Sequence, residues 1–357
     1  MNKDNLHILV LNNQFYGSYE SNQVFYSELV ESLRNLNISC ITAETVDEAV
    51  EAYEKNNISF SICFSKYGYF IDNIPLYDSY NIPHYQWISD NPIKMNIDEK
   101  SNWITYIFID NEFILSVNKL QNKPLILPLG FMKSKQLKVM PQDKIDAVLM
   151  PCKIRSLSSI KADILNNIES DLLYLFIEKY DLDSSFISYL NKFKMKYSIS
   201  EENFRLVNEY IRVKKRIDVV KSIKSIDVYI VGDDNGNFRD DDNVYFIDKV
   251  KYSDIDTMMS KYKYVLNVDP NYHSCFHDRF IRAINSGTVC ITNYSNIFNE
   301  SETFIYRFSE LDKIDDIIKE IHKNYMKILR YQRIKVKDCE WTTSLRVIID
   351  HFHKRGN

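Results

Sequence analysis

Residues 264–293 read YVLNVDPNYHSCFHDRFIRAINSGTVCITN, and this stretch decides the fold. Tyr264 to Val268 is a short apolar run, rich in β-branched residues and of strand length. Asp269 to Phe276 is polar and reads as a loop. From Asp278 to Asn285, the residues Phe280, Ile281 and Ile284 recur at helical spacing, which predicts an amphipathic helix. Gly287 stands where a helix exits through a left-handed residue, and Thr288 to Thr292 reads as a second strand. Strand, loop, helix, glycine, strand is a βαβ unit. In open α/β sheets, ligands bind in the loops beyond the C-terminal ends of the strands. His273, His277, Asp278, Arg279 and Arg282 crowd that loop and helix start, and a helix N-terminus beside arginines suits an anion.

Upstream, the same alternation recurs. His7 to Leu11, Ile38 to Ile41 and Ile58 to Phe64 read as strands, with helical spacing through Val24, Phe25, Leu29, Leu33 and Leu36 between the first two. Thr45 and Glu48 have capping-box spacing and open a second helix. This β-α-β-α-β order implies a parallel sheet with right-handed crossovers. His84 to Ile88, Ile104 to Ile109 and Leu125 to Leu127 continue it. Residues 1–132 are therefore expected to form an N-terminal Rossmann-like domain, with 133–144 as a polar linker. A C-terminal Rossmann-like domain over 145–340 follows, with strands at Ile145 to Met150, Ile226 to Val231 and Val244 to Phe246 and a helical segment at 158–223. Ser253 and Asp256 are placed to cap the helix carrying Met258 and Met259. A last helix lies in 341–357.

Composition narrows the classes. With 357 residues, two domains of ordinary size are the default. A net charge of −4, without a long basic tract, gives no bulk attraction to nucleic acid. Only seven glycines occur, and neither GxGxxG nor GxxxxGK[ST] is among their spacings. Any phosphate must therefore be held by side chains and helix ends rather than by a glycine-rich loop. The six cysteines lack CxxC spacing and read as free thiols. No apolar run has the length of a signal peptide or membrane span, so the expectation is a cytoplasmic protein without a membrane span.

HDRFIRAINSGTVCITN, from His277 to Asn293, resembles the segment H-D/E-R-x-F-E-A-x-A-S-G-x-x-x-x-T-D of CgeB-like (spore maturation protein B type) glycosyltransferases. The resemblance extends upstream through IDVYIVGDDN and VYFIDKVKYSDIDTMM, and reaches HYQWISDNP in the first half. It implies an α/β protein of GT-B type, two Rossmann-like doubly wound domains facing across a cleft. The N-terminal domain would face the acceptor, and the C-terminal domain would bind a nucleotide sugar. It also implies transfer of the sugar to a bacterial surface protein or glycan. No cofactor is implied beyond the nucleotide-sugar donor, which is a substrate, and no metal is required.

On this resemblance Arg279 meets the donor diphosphate, whose negative charge grows as the sugar leaves. The ordinary alternative makes Asp278 a helix-start carboxylate and Arg279 a salt-bridge partner. Related retaining enzymes carry a Glu-x7-Glu pair. Aligned on Ala283 and Gly287, Ser274 and Arg282 occupy those two positions, so both carboxylates are missing. A guanidinium cannot accept hydrogen bonds from a ribose diol, and Arg282 is instead expected to add a phosphate contact. His273 and His277 are open between a donor contact and a surface or capping role. Gly232 and Asp233 end a strand where the family places its nucleotide, although Asp233 equally suits a solvated turn. Asp90, in Ser89-Asp90-Asn91-Pro92, matches a position for the base that takes the acceptor proton. The same residues also make plain turn chemistry. Lys214, Lys215 and Arg216 can face a diphosphate or simply water, water being the ordinary reading, and the run Asp240 to Asp242 is expected to face water. The missing carboxylates leave two rivals standing: a catalytically silent partner subunit, and a two-domain binder of a small anionic metabolite.

Overall fold

The computed structural model describes residues 6–12, 21–64, 69–89, 92, 97, 101–117, 120–132, 140–166, 200–233, 235–270 and 272–355. The chain divides into two units, Met1–Ser134 with Lys337–Asn357, and Lys135–Val336.

In the first unit, strands β1 (His7–Leu11), β2 (Ser39–Ala43) and β3 (Phe60–Phe64) are followed by a two-stranded antiparallel ribbon, β4 (Phe70–Ile71) and β5 (Ile74–Pro75). Strands β6 (His84–Ile88), β7 (Ile104–Phe108) and β8 (Leu125–Ile126) complete a six-stranded parallel sheet in the order β2-β1-β3-β6-β7-β8. Every residue of β3, β6 and β7 is buried, the pattern of a parallel sheet covered on both faces. The capping box at Thr45 forms with a shifted arm. Its Oγ1 accepts from the Glu48 amide at 3.2 Å, while Glu48 accepts from the amide of Glu44 at 2.7 Å. The tyrosines at 77 and 85 are core residues, Tyr77 stacking on the His84 ring at 4.5 Å.

The final helix, Trp341–Arg355, belongs to this first unit. Its fully buried Trp341 meets Phe25, Phe64 and Trp87 at ring centroid distances of 6.2, 5.5 and 5.2 Å, and donates from Nε1 to Glu28 at 2.9 Å. Gly130 lies under that ring, where an added Cβ would sit 2.2 Å from it. Further along the helix, Arg355 donates to the Thr105 hydroxyl at 2.9 Å.

The second unit contains β9 (Ile145–Met150), β10 (Val228–Val231), β11 (Val244–Ile247), β12 (Tyr262–Asn267), β13 (Val289–Asn293) and β14 (Ile305–Tyr306), all parallel, in the order β11-β10-β9-β12-β13-β14. Renumbered within the unit, this is 3-2-1-4-5-6, the Rossmann order. Its topological switch lies between β9 and β12. The helix Asp278–Asn285 buries Phe280, Ile281 and Ile284 against the sheet, and Gly287 leaves it at φ +75°.

Three sequence expectations are corrected in this unit. The helix Ile255–Ser260 has Asp254 at its cap with no side-chain bond, and Asp256 instead pairs with Arg282. Asp241 does not simply face water, since the ammonium groups of Lys224 and Lys221 stand 3.0 and 3.7 Å from it. Lys215 and Arg216 are buried, because the helix Glu201–Ser222 turns them inward with Val213, Ile217 and Val220. Of the predicted helical segment, Leu157–Leu165 and Glu201–Ser222 are helices, and 167–199 lies outside the described residues.

Candidate active site

Strands β12 and β13 end in polar residues, and those residues shape the loop that follows. Asn267 closes β12 buried. It donates to the Thr292 hydroxyl at 3.0 Å and accepts from Arg279 Nη1 at 2.8 Å. Asn293 closes β13, accepting from the Asp269 amide at 2.9 Å and donating back to the Asp269 carbonyl at 3.3 Å. These amide side chains replace the ladder bonds lost where the strands stop. They fix the start of the loop at the switch point.

Asp269, 1 % exposed, is the first charge of this loop. Its carboxylate lies 3.1 Å from His277 Nε2 and 3.7 Å from Arg212. Burial alone would raise its pKa, but Arg212, His277 and Arg216 together hold it well below the usual carboxylate range. His277 is the N-cap of the helix Asp278–Asn285. Its Nδ1 faces the Asp278 carboxylate at 2.6 Å and the Arg279 amide at 3.1 Å. As imidazolium, Nδ1 donates to Asp278; as neutral imidazole it accepts from Arg279. Burial opposes the charged form, yet the flanking carboxylates of Asp278 and Asp269 overcome it and raise the His277 pKa. Asp278 in turn is depressed against its own burial by His277, Arg279 and the hydroxyl of Tyr252, which donates to it.

This arrangement changes what the helix start offers. The amides of Arg279, Phe280 and Ile281 bond to His277 itself, and Asp278 already places a carboxylate there. Positive charge for an outside anion must therefore come from guanidinium groups. Arg279 is half-buried and commits Nη1 to Asn267. Its other side-chain N–H groups meet no protein acceptor among the described residues. Arg282 is almost fully buried. It donates to the Tyr252 hydroxyl at 3.0 Å and to Asp256 at 3.2 Å, with Tyr252 facing it at 5.0 Å.

Sequence reasoning did not single out Arg212, and it left Arg216 between a diphosphate and water, with water the ordinary reading. The helix Glu201–Ser222 brings Arg212 to Asp269 and Arg216 beneath both walls of the crevice. Arg216 donates to the carbonyls of Val268, after β12, and Lys153, after β9, at 3.5 and 3.4 Å. A signal was present, since Arg216 falls within the apolar stripe Val213, Ile217, Val220.

The other expected site residues are more dispersed. Gly232 ends β10 at φ +123°, its amide bonded to the Ile247 carbonyl at 2.9 Å. Asp233 is exposed beside Lys249 at 3.2 Å. His273 accepts from the Asn296 amide through its carbonyl at 2.7 Å and sets its ring edge-on to Tyr294. Asp90 lies outside the described residues. A hollow beside the site is lined by Asn267, Asp269, Tyr272, His277, Asn293 and Ser295. Its enclosed part, about 10 Å³, has room for about one water-sized group. Among the described residues, no group of three or more His, Cys, Asp or Glu is arranged to hold a metal ion. None of their helices is long and apolar enough to cross a membrane.

No protein family profile matches the sequence, and no curated protein sequence matches it. Solved structures do. The β-glucosyltransferase of phage T4 is similar over 97 % of this chain and 100 % of its own, at 12 % identity and TM-score 0.54. A mutant of the phage T4 enzyme in complex with UDP-glucose is similar at 11 % identity and TM-score 0.53, over 97 % and 100 % of the two chains. Sucrose-phosphate synthase of Thermosynechococcus elongatus covers 99 % of this chain and 100 % of its own at 10 % identity, with TM-score 0.53. With the two parallel six-stranded sheets, these likenesses establish the architecture. The chain has the GT-B fold, built from two Rossmann-like α/β units.

Proposed function

We propose that the chain is a glycosyltransferase that binds a nucleotide-sugar donor in the second unit, at the crevice between β9 and β12. The observation that carries this reading is Arg279. Its guanidinium stands at the topological switch point of a GT-B unit, anchored to Asn267 through one N–H, with the remaining donors available to a phosphate. The sugar leaves a nucleoside diphosphate, and a fixed guanidinium stabilises the charge that grows there. His277, Asp269 and Asp278 hold the helix start that presents Arg279. Arg282, engaged with Asp256 and Tyr252, supports this reading as a brace for the same helix.

The finer reading follows the CgeB-like resemblance. The acceptor is a bacterial surface protein or glycan, the reaction is cytoplasmic and metal-independent, and Asp90 takes the acceptor proton. Gly232, Asp233 and His273 contact the nucleotide or sugar. The test is equilibrium binding of UDP, GDP, dTDP and CMP, UDP first because a structural neighbour was solved with UDP-glucose. One nucleotide is expected to bind, with affinity reduced about tenfold or more by Arg279→Ala, the loss of a charge-assisted contact. Binding unaffected by Arg279→Ala would refute the phosphate assignment. The absent carboxylates at Ser274 and Arg282 favour one second reading, a silent partner subunit, which predicts that the purified protein binds none of these nucleotides.

A further inference from the structure

Arg216 is buried to 8 % exposure, yet its only partners among the described residues are two backbone carbonyls at 3.4 and 3.5 Å. No carboxylate of the described residues touches it. Asp269, whose charge favours the Arg216 guanidinium, is shared between Arg212 and His277. Among the described residues the crevice gathers Arg212, Arg216, Arg279 and the imidazole of His277 around two carboxylates, Asp269 and Asp278. Burial, with Arg212 and Arg279 nearby, disfavours the Arg216 charge and lowers its pKa despite Asp269. A guanidinium nevertheless keeps its proton. A buried cation without an anion in contact is costly. A site that receives an anionic ligand removes that cost when the ligand binds.

The two carbonyls matter as much as the charge. Val268 begins the loop after β12, and Lys153 lies in the loop after β9, so Arg216 ties the two walls of the switch-point crevice from below. We infer that Arg216 is a positioning residue for the donor: it fixes the crevice walls and supplies the buried charge that the second phosphate of a nucleoside diphosphate completes. Arg279 holds one phosphate at the mouth; Arg216 acts on the other through the crevice floor. This inference rests on the donor site proposed above.

The experiment is isothermal titration of the full-length protein with UDP against UMP, and GDP against GMP, for wild type, Arg216→Lys and Arg216→Met. The Lys variant keeps the charge without the two-carbonyl strap, and the Met variant fills similar volume without charge. Arg216→Met is expected to weaken diphosphate binding about tenfold or more and monophosphate binding less than about threefold. Arg216→Lys is expected to keep the diphosphate-to-monophosphate ratio within about threefold of wild type. Equal weakening of both nucleotides in Arg216→Met, the signature of a merely structural strap, overturns the inference and leaves the donor site standing. So does a ratio lost in Arg216→Lys, which decides alone should the Met variant not fold. Wild type that binds none of the four nucleotides overturns the donor-site reading itself.

Discussion

Replacing Asp269 by Asn removes one charge from the most enclosed part of the site. Asp269 is 1 % exposed and stands 3.1 Å from His277 Nε2 and 3.7 Å from Arg212. Deleting one member of a buried ion pair costs about 3–5 kcal/mol, because its partner's charge stays buried. The asparagine oxygen still accepts from Nε2, which restores about 1 kcal/mol. The expected loss is thus about 2–4 kcal/mol in the second unit.

The pH dependence carries a sign. The folded-state pKa of Asp269 lies below the unfolded value of about 3.9, so its contribution is present above about pH 4 and is lost as pH falls further. The folded-state pKa of His277 lies above about 6.5. Its contribution is fully present below that pH and is lost as pH rises through the folded value. Between about pH 4 and 6.5 both are present, and Asp269→Asn lowers this plateau and flattens both limbs.

The assay must separate the units. The three tryptophans, Trp87, Trp103 and Trp341, all belong to the first unit, so fluorescence does not read the second. Amide hydrogen exchange in β12 and β13 does. Protection in Asp269→Asn equal to wild type within about 0.5 kcal/mol from pH 4 to 8 would refute the reasoning.

Three further outcomes test other parts of the account. Gly130→Ala drives a Cβ to 2.2 Å from the Trp341 ring, which is fully buried and held through Glu28. It should destabilise the first unit by about 1–3 kcal/mol, read by tryptophan fluorescence in urea. Gly232→Ala meets no neighbour within 4 Å but must adopt φ +123°. Its cost of about 1–3 kcal/mol is backbone strain alone and should appear as faster exchange at the end of β10. Lys144 donates to the Ser260 carbonyl at 2.6 Å and Thr288 at 2.9 Å, and burial, then Arg333, push its pKa down to about 8. The unfolded chain, with its lysine near 10.4, binds more protons between these values, so this residue makes stability rise with pH across that window. The stability difference between wild type and Lys144→Met should grow in favour of wild type from about pH 7.5 to 9.5. A constant difference would show that Lys144 is not desolvated.

The sequence carried the sheets well where one physical signal sufficed. Tyr264, Val265 and Leu266 could be buried only in a strand, and the apolar triplet Phe280, Ile281, Ile284 allowed one helix face. Gly287 had to lie where φ is positive. Trp341 was harder, because an apolar stripe states that a helix is buried but not against what; its partners are more than two hundred residues away in the sequence. The site was half legible. His277, Asp278 and Arg279 stand together because they are neighbours in the chain. Asp269 joins them from the loop after β12, and Arg212 and Arg216 from the distant helix Glu201–Ser222 that crosses from β9 to β10; their charges resemble solvated ones until that packing is known. Arg282 shows the reverse case, a residue adjacent in sequence whose side chain turns away to Asp256 and Tyr252.

The most direct test of the central claim is turnover. UDP-, GDP-, dTDP- and CMP-sugars would be incubated with wild type and with Arg279→Ala, and free sugar measured over time. The account predicts slow sugar release from one nucleotide class by wild type, lost in Arg279→Ala. Release that persists unchanged in the variant, or no release from any donor, would contradict it.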